Sequence, residues 1–212
     1  MSILQAGMDL FLQEDEERKE KAKKRQEESR FPSLYFKNGD TYLCRFIGGV
    51  NPIPFYKHTY EEGRANFICP SKGACPMCLA GNSPSLRGMF AVLVRNFPEK
   101  DAEYKVIGTK EQVARLELSA TAVMAFGESH KEMDFTNKDV NIKRTGEGKN
   151  TNYLFFPKGV TKLTDKEKKL ELPNWEEFLT PASPEDMRKY LNRYRSLEPE
   201  EETKRDWDKI DI

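Results

Sequence analysis

Three cysteines and one histidine of this 212-residue chain have the types and spacing of a metal site. Cys69, Cys75 and Cys78 lie within the ten-residue segment CPSKGACPMC, and His58 precedes that segment by eleven residues. A Cys-x-x-Cys turn directs two thiolates at one metal ion, and zinc takes four nitrogen or sulfur donors in a tetrahedron. The spacing therefore predicts one structural zinc ion per chain, held by His58, Cys69, Cys75 and Cys78.

Other uses of the cysteines stay open, namely a disulfide, buried free thiols and a redox pair. Disulfides are typical of exported chains, and the first residues lack the basic start and apolar centre of a secretory signal. The sequence CPMC at 75–78 has the form of a glutaredoxin motif, but that motif follows a buried strand in a βαβ unit, which is not the pattern here. Cys44 alternates with Tyr42 and Phe46, and this alternation predicts a core thiol.

A catalytic role for the zinc is disfavoured by the order of the motifs. A nucleobase deaminase needs His-x-Glu before Pro-Cys-x-x-Cys, with water at the fourth zinc position. The sequence HKE at 130–132 follows the cysteines instead, and four protein ligands close the metal to water. There is no glycine-rich phosphate loop and no serine nucleophile elbow. We therefore expect a protein that is not an enzyme, with His130 an ordinary surface or loop histidine.

Charge is segregated along the chain, although 35 basic and 35 acidic residues cancel overall. The regions 31–97 and 140–158 are rich in lysine and arginine, and many of these residues lie beside aromatic side chains. Single-stranded nucleic acid exposes base faces and a phosphate at every step, so this combination suits it, and stacking tolerates any sequence. The alternative for each ring is a place in the core. The candidate DNA contacts are Arg45, Tyr42, Phe55, Lys57, Arg64, Lys72, Arg87, Phe90, Arg95, Lys143, Arg144, Lys149 and Tyr153.

Turn residues divide the middle of the chain into short segments that predict strands. The clearest strand is MFAVLVR at 89–95, and 140–144 and 151–156 are predicted to be two strands joined by a basic loop. Segment 112–126 is ambiguous, because its apolar spacing also suits a helix. A capping serine and a first-turn proline predict a C-terminal helix over about 184–196. The class is therefore mainly β with peripheral helices, either a small barrel or an α+β domain.

The two ends of the chain differ in composition from the middle. Residues 1–30 predict a charged, solvated N-terminal arm, and 31–197 predict the folded core, with a zinc subdomain at about 55–88. Residues 198–212 form an acidic tail that is too poor in apolar residues to pack, apart from Trp207, Ile210 and Ile212. Those three side chains suit insertion into a partner's pocket. No run approaches the ~18 apolar residues of a membrane span, so we expect a cytoplasmic protein without membrane contacts.

The motifs together resemble those of one family. The run YLCRFI at 42–47, the Pro-Phe step at 54–55, His58, Cys69 and CPMC at 75–78 are similar to the pattern of zinc-containing single-stranded DNA-binding proteins of tailed bacteriophages, of the T-even phage helix-destabilising type. The segment from 146 to 153 and the acidic tail are also similar. The resemblance covers roughly 31–158 and the tail, and the metal motif is its specific part.

The resemblance implies an OB-fold barrel with a zinc-stabilised flap, in the cytoplasm of an infected bacterium. It implies binding of single-stranded DNA with little sequence preference during phage DNA replication, recombination and repair. The arm at 1–30 would mediate self-association along DNA, and the tail would recruit replication or recombination proteins. A zinc-stabilised RNA-binding or transcription regulatory factor stays open as an alternative, and it would show a 2′-hydroxyl or sequence preference. A structural phage protein would show no salt-dependent affinity for nucleic acid.

Overall fold

The computed structural model describes residue 19 and residues 30–60, 65–101, 103, 105–160 and 163–195. Most of the N-terminal arm, Arg64 and the whole acidic tail with Trp207, Ile210 and Ile212 lie outside these residues, so what the sequence predicts for them stays a prediction. The chain divides into two compact units. We call Met1–Phe55 with Ser85–Thr180 the sheet unit, and Tyr56–Pro84 with Pro181–Ile212 the small unit.

The described residues form antiparallel strands and short helices. The strands are β1 (Thr41–Phe46), β2 (Ile53–Tyr60), β3 (Ala65–Ile68), β4 (Ser85–Lys100), β5 (Val106–Ser119), β6 (Lys138–Thr145) and β7 (Asn152–Val160). The helices are α1 (Pro76–Leu79), α2 (Ala120–Met133), α3 (Trp175–Phe178) and α4 (Pro184–Arg195). None of the helices in the described part of the chain has the length and apolar content needed to cross a membrane.

The five strands that lie wholly within the sheet unit pair in the order β5-β4-β1-β6-β7, as part of an antiparallel sheet of seven strands. The strand predicted at 89–95 lies inside β4, and the two strands predicted around the basic loop are β6 and β7, so both predictions are confirmed. The mainly β class is confirmed as well. Among the described residues β5 and β7 do not pair with each other, so the sheet is open and a closed barrel is not confirmed.

Helix α2 packs against one face of this sheet and completes the main core. The Phe126 ring centroid lies 4.8 Å from that of Phe46 and 5.3 Å from that of Phe155. Cys44 is fully buried in the same cluster, and burial raises the pKa of its thiol, which confirms the predicted core thiol. Edge-to-face and tilted ring pairs of this kind add to the burial of apolar area.

The ambiguous segment 112–126 contains a strand end and a helix start. Residues 112–118 pair with β4, and the helix begins only at Ala120. Ser119 is the boundary, because its Oγ accepts a hydrogen bond from the N–H of Ala122 at 3.3 Å and so caps the first turn of α2. The helical spacing of the apolar residues was therefore a reliable indicator for only the second half of the segment.

The opposite face of the sheet is partly covered by the segment 163–180. Leu170, Trp175 and Phe178 pack against a buried apolar cluster that includes Leu93 and Val113. The guanidinium of Arg115 lies 3.9 Å from the centroid of the Phe178 ring. Near β7 the same face is not covered by this segment, and the side chains of Leu154, Phe156 and Lys158 are exposed there.

A buried cluster of charges lies at the edge of that covered area. Arg45 on β1 is 1% exposed, and its Nε donates to Oδ1 of Asp139 on β6 at 2.7 Å. Arg95 on β4 pairs with Asp139 and Glu167. Hydrogen bonds from Thr164, followed by the charge and hydrogen bond of Arg95, lower the pKa of the Glu167 carboxyl to about 2. The cluster therefore joins three strands and the 3-10 turn at Glu167–Lys169.

Replacing Asp139 by alanine tests how much this cluster contributes to stability. We expect the free energy of unfolding to fall by about 3–5 kcal/mol, because the substitution removes the counter-ion of the buried Arg45 guanidinium. The matched control is Asp165→Ala, which removes an exposed carboxylate paired with Lys168 at 2.9 Å and should change stability little. Urea unfolding followed by circular dichroism measures both, and equal effects would contradict a structural role for the buried pair.

Candidate metal centre

The four predicted ligands meet in the small unit. The donor atoms of His58, Cys69, Cys75 and Cys78 all lie within 4.8 Å of one another, so these residues could hold a metal ion. His58 lies on β2, Cys69 directly follows β3, Cys75 precedes α1 and Cys78 lies within it. The predicted ligand set is therefore gathered by one hairpin and one helical turn.

Local backbone geometry explains why the sequence folds in this way. Strands β2 and β3 pair with His58 opposite Phe67, and the N–H of Cys69 donates to the carbonyl of Tyr56 at 2.8 Å. Gly73 has a φ of +90°, in the left-handed region that favours glycine, and this turn returns the chain toward the hairpin. The proline of CPMC occupies the first position of α1, where its missing N–H costs no hydrogen bond.

Two backbone N–H groups face the sulfurs of the Cys-x-x-Cys turn. The N–H of Gly73 lies 3.2 Å from Sγ of Cys78, and the N–H of Cys78 lies 3.4 Å from Sγ of Cys75. Hydrogen bonds to the charged form of a group stabilise that form. The turn therefore favours thiolates, which are the form of cysteine that binds metals.

The distances between the donors fit a tetrahedral zinc ion. Bonds of about 2.3 Å to sulfur in a tetrahedron place two sulfurs about 3.8 Å apart. Sγ of Cys69 lies 3.7 Å from Sγ of Cys75 and 3.8 Å from Sγ of Cys78. Nε2 of His58 lies 3.6 Å from Sγ of Cys78 and, at a shorter separation, 3.1 Å from Sγ of Cys75. These separations are far longer than the ~2.05 Å of a disulfide, and all four cysteines are free thiols.

Burial and hydrogen bonding set the proton affinities of the ligands. His58 is 0% exposed, and Cys75 is also buried. Burial, followed by hydrogen bonding to Cys75, raises the pKa of Cys69 to about 12. For Cys78 burial acts in the same direction, but hydrogen bonds from Gly73 and the other two cysteines outweigh it, and the pKa is lowered. Because the ligands must lose protons to bind a metal, affinity falls as the pH falls.

Asn82 orients the histidine and was not identified from the sequence. Its Oδ1 lies 2.9 Å from Nδ1 of His58, and its Nδ2 donates to the carbonyl of Thr59 at 3.2 Å. An amide oxygen can only accept, so Nδ1 carries the proton and the lone pair of Nε2 points toward the cysteines. The sequence offers little indication of this role, because Asn82 lies 24 residues from His58 and in an ordinary Gly-Asn turn.

His130, the other histidine, takes part in the fold of the sheet unit. Its Nδ1 accepts a hydrogen bond from the N–H of Phe135 at 2.9 Å, and its ring stacks on Phe126. It is half-buried at the C-terminal end of α2. The sequence predicted an ordinary surface or loop histidine, and the structure corrects its location, because His130 lies within a helix and packs against the core.

Several of the predicted DNA contacts are used inside the sheet unit. Arg45 and Arg95 belong to the buried charge cluster. Phe90 is 2% exposed and lies in the main core, and Phe55 is also buried. Arg144 donates hydrogen bonds to the carbonyl of Phe36 and to Oγ1 of Thr151. In this structure the side chains of Arg45, Phe55 and Phe90 are buried and present no surface to a ligand, whereas Arg95 and Arg144 are partly exposed and their assignment stays a prediction.

The remaining predicted contacts are partly or fully exposed. Tyr42 and Tyr153 are half-buried, with ring centroids 4.9 and 5.6 Å from that of Phe36. Arg87 is half-buried, with Nε 3.9 Å from a carboxylate oxygen of Glu117. The three lysines in this group differ in exposure. Lys57 is half-buried, Lys143 is exposed, and Lys72 is exposed with Nζ 5.2 Å from the centroid of the Tyr56 ring.

For two further candidates, Arg64 and Lys149, the structure gives no side-chain position, since Arg64 lies outside the described residues and only the backbone of Lys149 is described.

Comparison with protein-family models, with curated proteins and with solved structures finds no match to this chain. The resemblance to phage single-stranded DNA-binding proteins therefore remains a prediction from the motifs. The metal-ligand cluster is supported by the geometry alone.

Removing one ligand tests the metal site. We expect purified protein to contain one zinc ion per chain by elemental analysis, and Cys78→Ser to lower both the zinc content and the unfolding temperature, because a structural metal contributes directly to folding free energy. The control is Cys44→Ala, which removes a thiol of the sheet unit and should keep the zinc. Protein purified without chelator and found to be metal-free would contradict the site, as would a full zinc content in Cys78→Ser.

Replacing Asn82 by alanine tests its positioning role. Loss of such a partner typically lowers metal affinity about 10- to 100-fold, and we expect a change of this size in competition with a chelator of known affinity. Nitrogen-15 NMR of the His58 ring should show the proton on Nδ1 in the parent protein. Ser83→Ala, at the next and exposed position, is the control. Unchanged affinity in Asn82→Ala would show that the hydrogen bond is incidental.

Proposed function

We propose that this protein binds single-stranded DNA with little sequence preference, and that a structural zinc ion stabilises its small unit. Three thiols and one imidazole form a donor set suited to zinc, and four protein ligands leave no position for a reacting water. His58, Cys69, Cys75 and Cys78 would hold the ion, which would supply folding free energy and no chemistry. We therefore propose a binding protein and not an enzyme.

The observation that carries the binding function is an exposed apolar and basic area on the sheet, which we call the β6–β7 face. Phe156 on β7 is 51% exposed, and Leu154 on the same strand is also exposed. Lys143 on β6 pairs directly opposite Leu154 and is exposed as well. Residues directly opposite in an antiparallel pair project to the same side of the sheet. A ring, an aliphatic side chain and a lysine are thus presented together.

This face suits a single strand better than other ligands. An exposed ring offers a stacking surface to a base, and a lysine beside it can neutralise a phosphate. Lys158, two residues beyond Phe156, is also exposed. Asp139 is the acidic residue within β6 and β7, and its carboxylate is already paired with Arg45 and Arg95. The local charge that remains is positive, and an anionic polymer is the matching partner.

Strand topology gives additional support. The strand order β5-β4-β1-β6-β7, with α2 between β5 and β6 along the chain, is the order of strands in an OB-fold. An OB-fold is a five-stranded, partly open barrel that binds oligonucleotides. We propose that the open sheet is an incompletely closed barrel of this type, as the resemblance implies.

The salt dependence of DNA binding tests the proposal. We expect labelled oligo(dT) to bind with an affinity that falls as salt rises, and Lys143→Ala to reduce the slope of log affinity against log salt by about 0.7, the value for one phosphate contact on a single strand. Lys143 is preferable to Arg144 for this test, because Arg144 holds the backbone of Phe36. The control is Lys131→Ala, an exposed lysine on α2.

Fluorescence anisotropy at four salt concentrations, repeated with duplex DNA and with RNA of the same length, separates the alternatives. Equal affinity for duplex and single strand would contradict the proposal. A preference for RNA would favour the RNA-binding alternative, and no salt-dependent binding at all would favour a structural protein.

A further inference from the structure

A groove in the sheet unit combines exposed aromatic and apolar side chains with lysines. Its volume is about 540 Å³. It lies between the segment 33–42 and the hairpin formed by the ends of β4 and β5. Its lining includes Tyr35, Lys37, Tyr42, Phe97, Val106 and Lys110. Of these, only Tyr42 was identified as a candidate contact from the sequence.

Tyr35 is an exposed ring on a backbone that is firmly held. Its side chain is 73% exposed, whereas its neighbours Leu34 and Phe36 are buried in the main core. The N–H of Leu34 donates to the carbonyl of Arg115 at 2.8 Å, and the carbonyl of Phe36 accepts from Arg144. The backbone that carries the ring is therefore fixed in advance, so binding through the ring orders only one side chain. Packing among the residues that the structure describes leaves this aromatic side chain largely open to solvent.

The opposite wall of the groove is the β4–β5 hairpin. The pairing of β4 with β5 shifts register between Val94 and Phe97, and a bulge at such a shift bends a strand. Phe97 is half-buried and pairs opposite the exposed Lys110, and Val106 near the tip is also exposed. Asp101 closes the hairpin by accepting from the N–H of Lys105 at 2.9 Å. Both walls are thus held in place by hydrogen bonds in which a backbone group takes part.

The charge of the groove is balanced, which distinguishes it from the β6–β7 face. Lys37 and Lys110 are matched by the acidic residues Asp40 and Glu99. The Asp40 carboxylate also accepts a hydrogen bond from the N–H of Lys37 at 2.7 Å, so it belongs to the turn that shapes the groove. Contacts with phosphates would add little binding free energy in a groove whose charges balance and whose walls are apolar. Its favourable contacts are with the flat face of a ligand.

We propose that this groove receives an unpaired base of the bound strand, stacked on Tyr35. The inference rests on the proposed function and deepens it, because it assigns phosphate contacts to the β6–β7 face and base stacking to the groove. The volume lies in the range of about 300–1,000 Å³ of pockets for small ligands. In a duplex the faces of the bases are already stacked on each other. The groove therefore gives the protein its preference for single strands.

Substitution of Tyr35 tests the proposal against matched controls. Tyr35→Ala should weaken binding of oligo(dT) by roughly 5- to 150-fold, the range for loss of one stacked base. The salt slope and the affinity for duplex DNA should stay unchanged, since no phosphate contact is lost. Tyr35→Phe keeps the ring and should bind within about twofold of the parent protein, and Met124→Ala removes an exposed side chain of α2 that does not line the groove.

Photocrosslinking of the unaltered protein gives a second measurement that does not depend on a variant folding correctly. An oligo(dT) in which one thymine is replaced by 5-iodouracil should crosslink to Tyr35, as identified by mass spectrometry. Normal affinity in Tyr35→Ala, or crosslinks only to other peptides, would overturn the groove assignment while leaving the proposed function intact. Failure of the unaltered protein to bind oligo(dT) at any salt concentration would overturn both.

Discussion

The small unit depends on one interaction, the gathering of three thiols and one imidazole around a common point. Its buried cluster consists of Cys69, Cys75, Met77, Met187 and Leu191, so two of the ligands are also members of the core. A core of this size buries little apolar surface, and units of this size usually need a metal or a disulfide. A bound zinc ion contributes about 10–16 kcal/mol in small zinc-binding peptides, enough to replace a larger core.

The sheet unit is stabilised in a different way, and the difference leaves surfaces free for a ligand. Phe126 brings α2 onto one face of the sheet, and the segment 163–180 covers part of the other face. The surface that stays exposed includes the β6–β7 face with Lys143 and Phe156, and the groove beside Tyr35. Among the described residues the β6–β7 face has lysines without an ion pair, whereas the charges that line the groove are balanced. In the function that we propose, a single strand would present phosphates to the face and a base to the groove.

Sequence reasoning succeeded where the determinants are local. The ligand spacing predicted the metal cluster, and Ser183 with its proline predicted α4, where the Ser183 Oγ accepts from the N–H of Asp186 at 3.0 Å. It failed where a partner is distant. Arg45 is buried because Asp139, 94 residues away, neutralises it. Which of Phe90 and Tyr35 faces solvent depends on strand pairing and not on their own neighbours in the sequence.

Removal of the metal, followed residue by residue with nitrogen-15 NMR, is the most direct test of the central role of the ligand cluster. When a strong chelator is added at neutral pH, the amide signals of His58, Met77 and Met187 should lose their dispersion, while those of Cys44, Phe126 and Val140 in the sheet unit should keep theirs. Return of zinc should restore the lost signals. A metal-free protein in which the small unit keeps its dispersed signals would contradict the account.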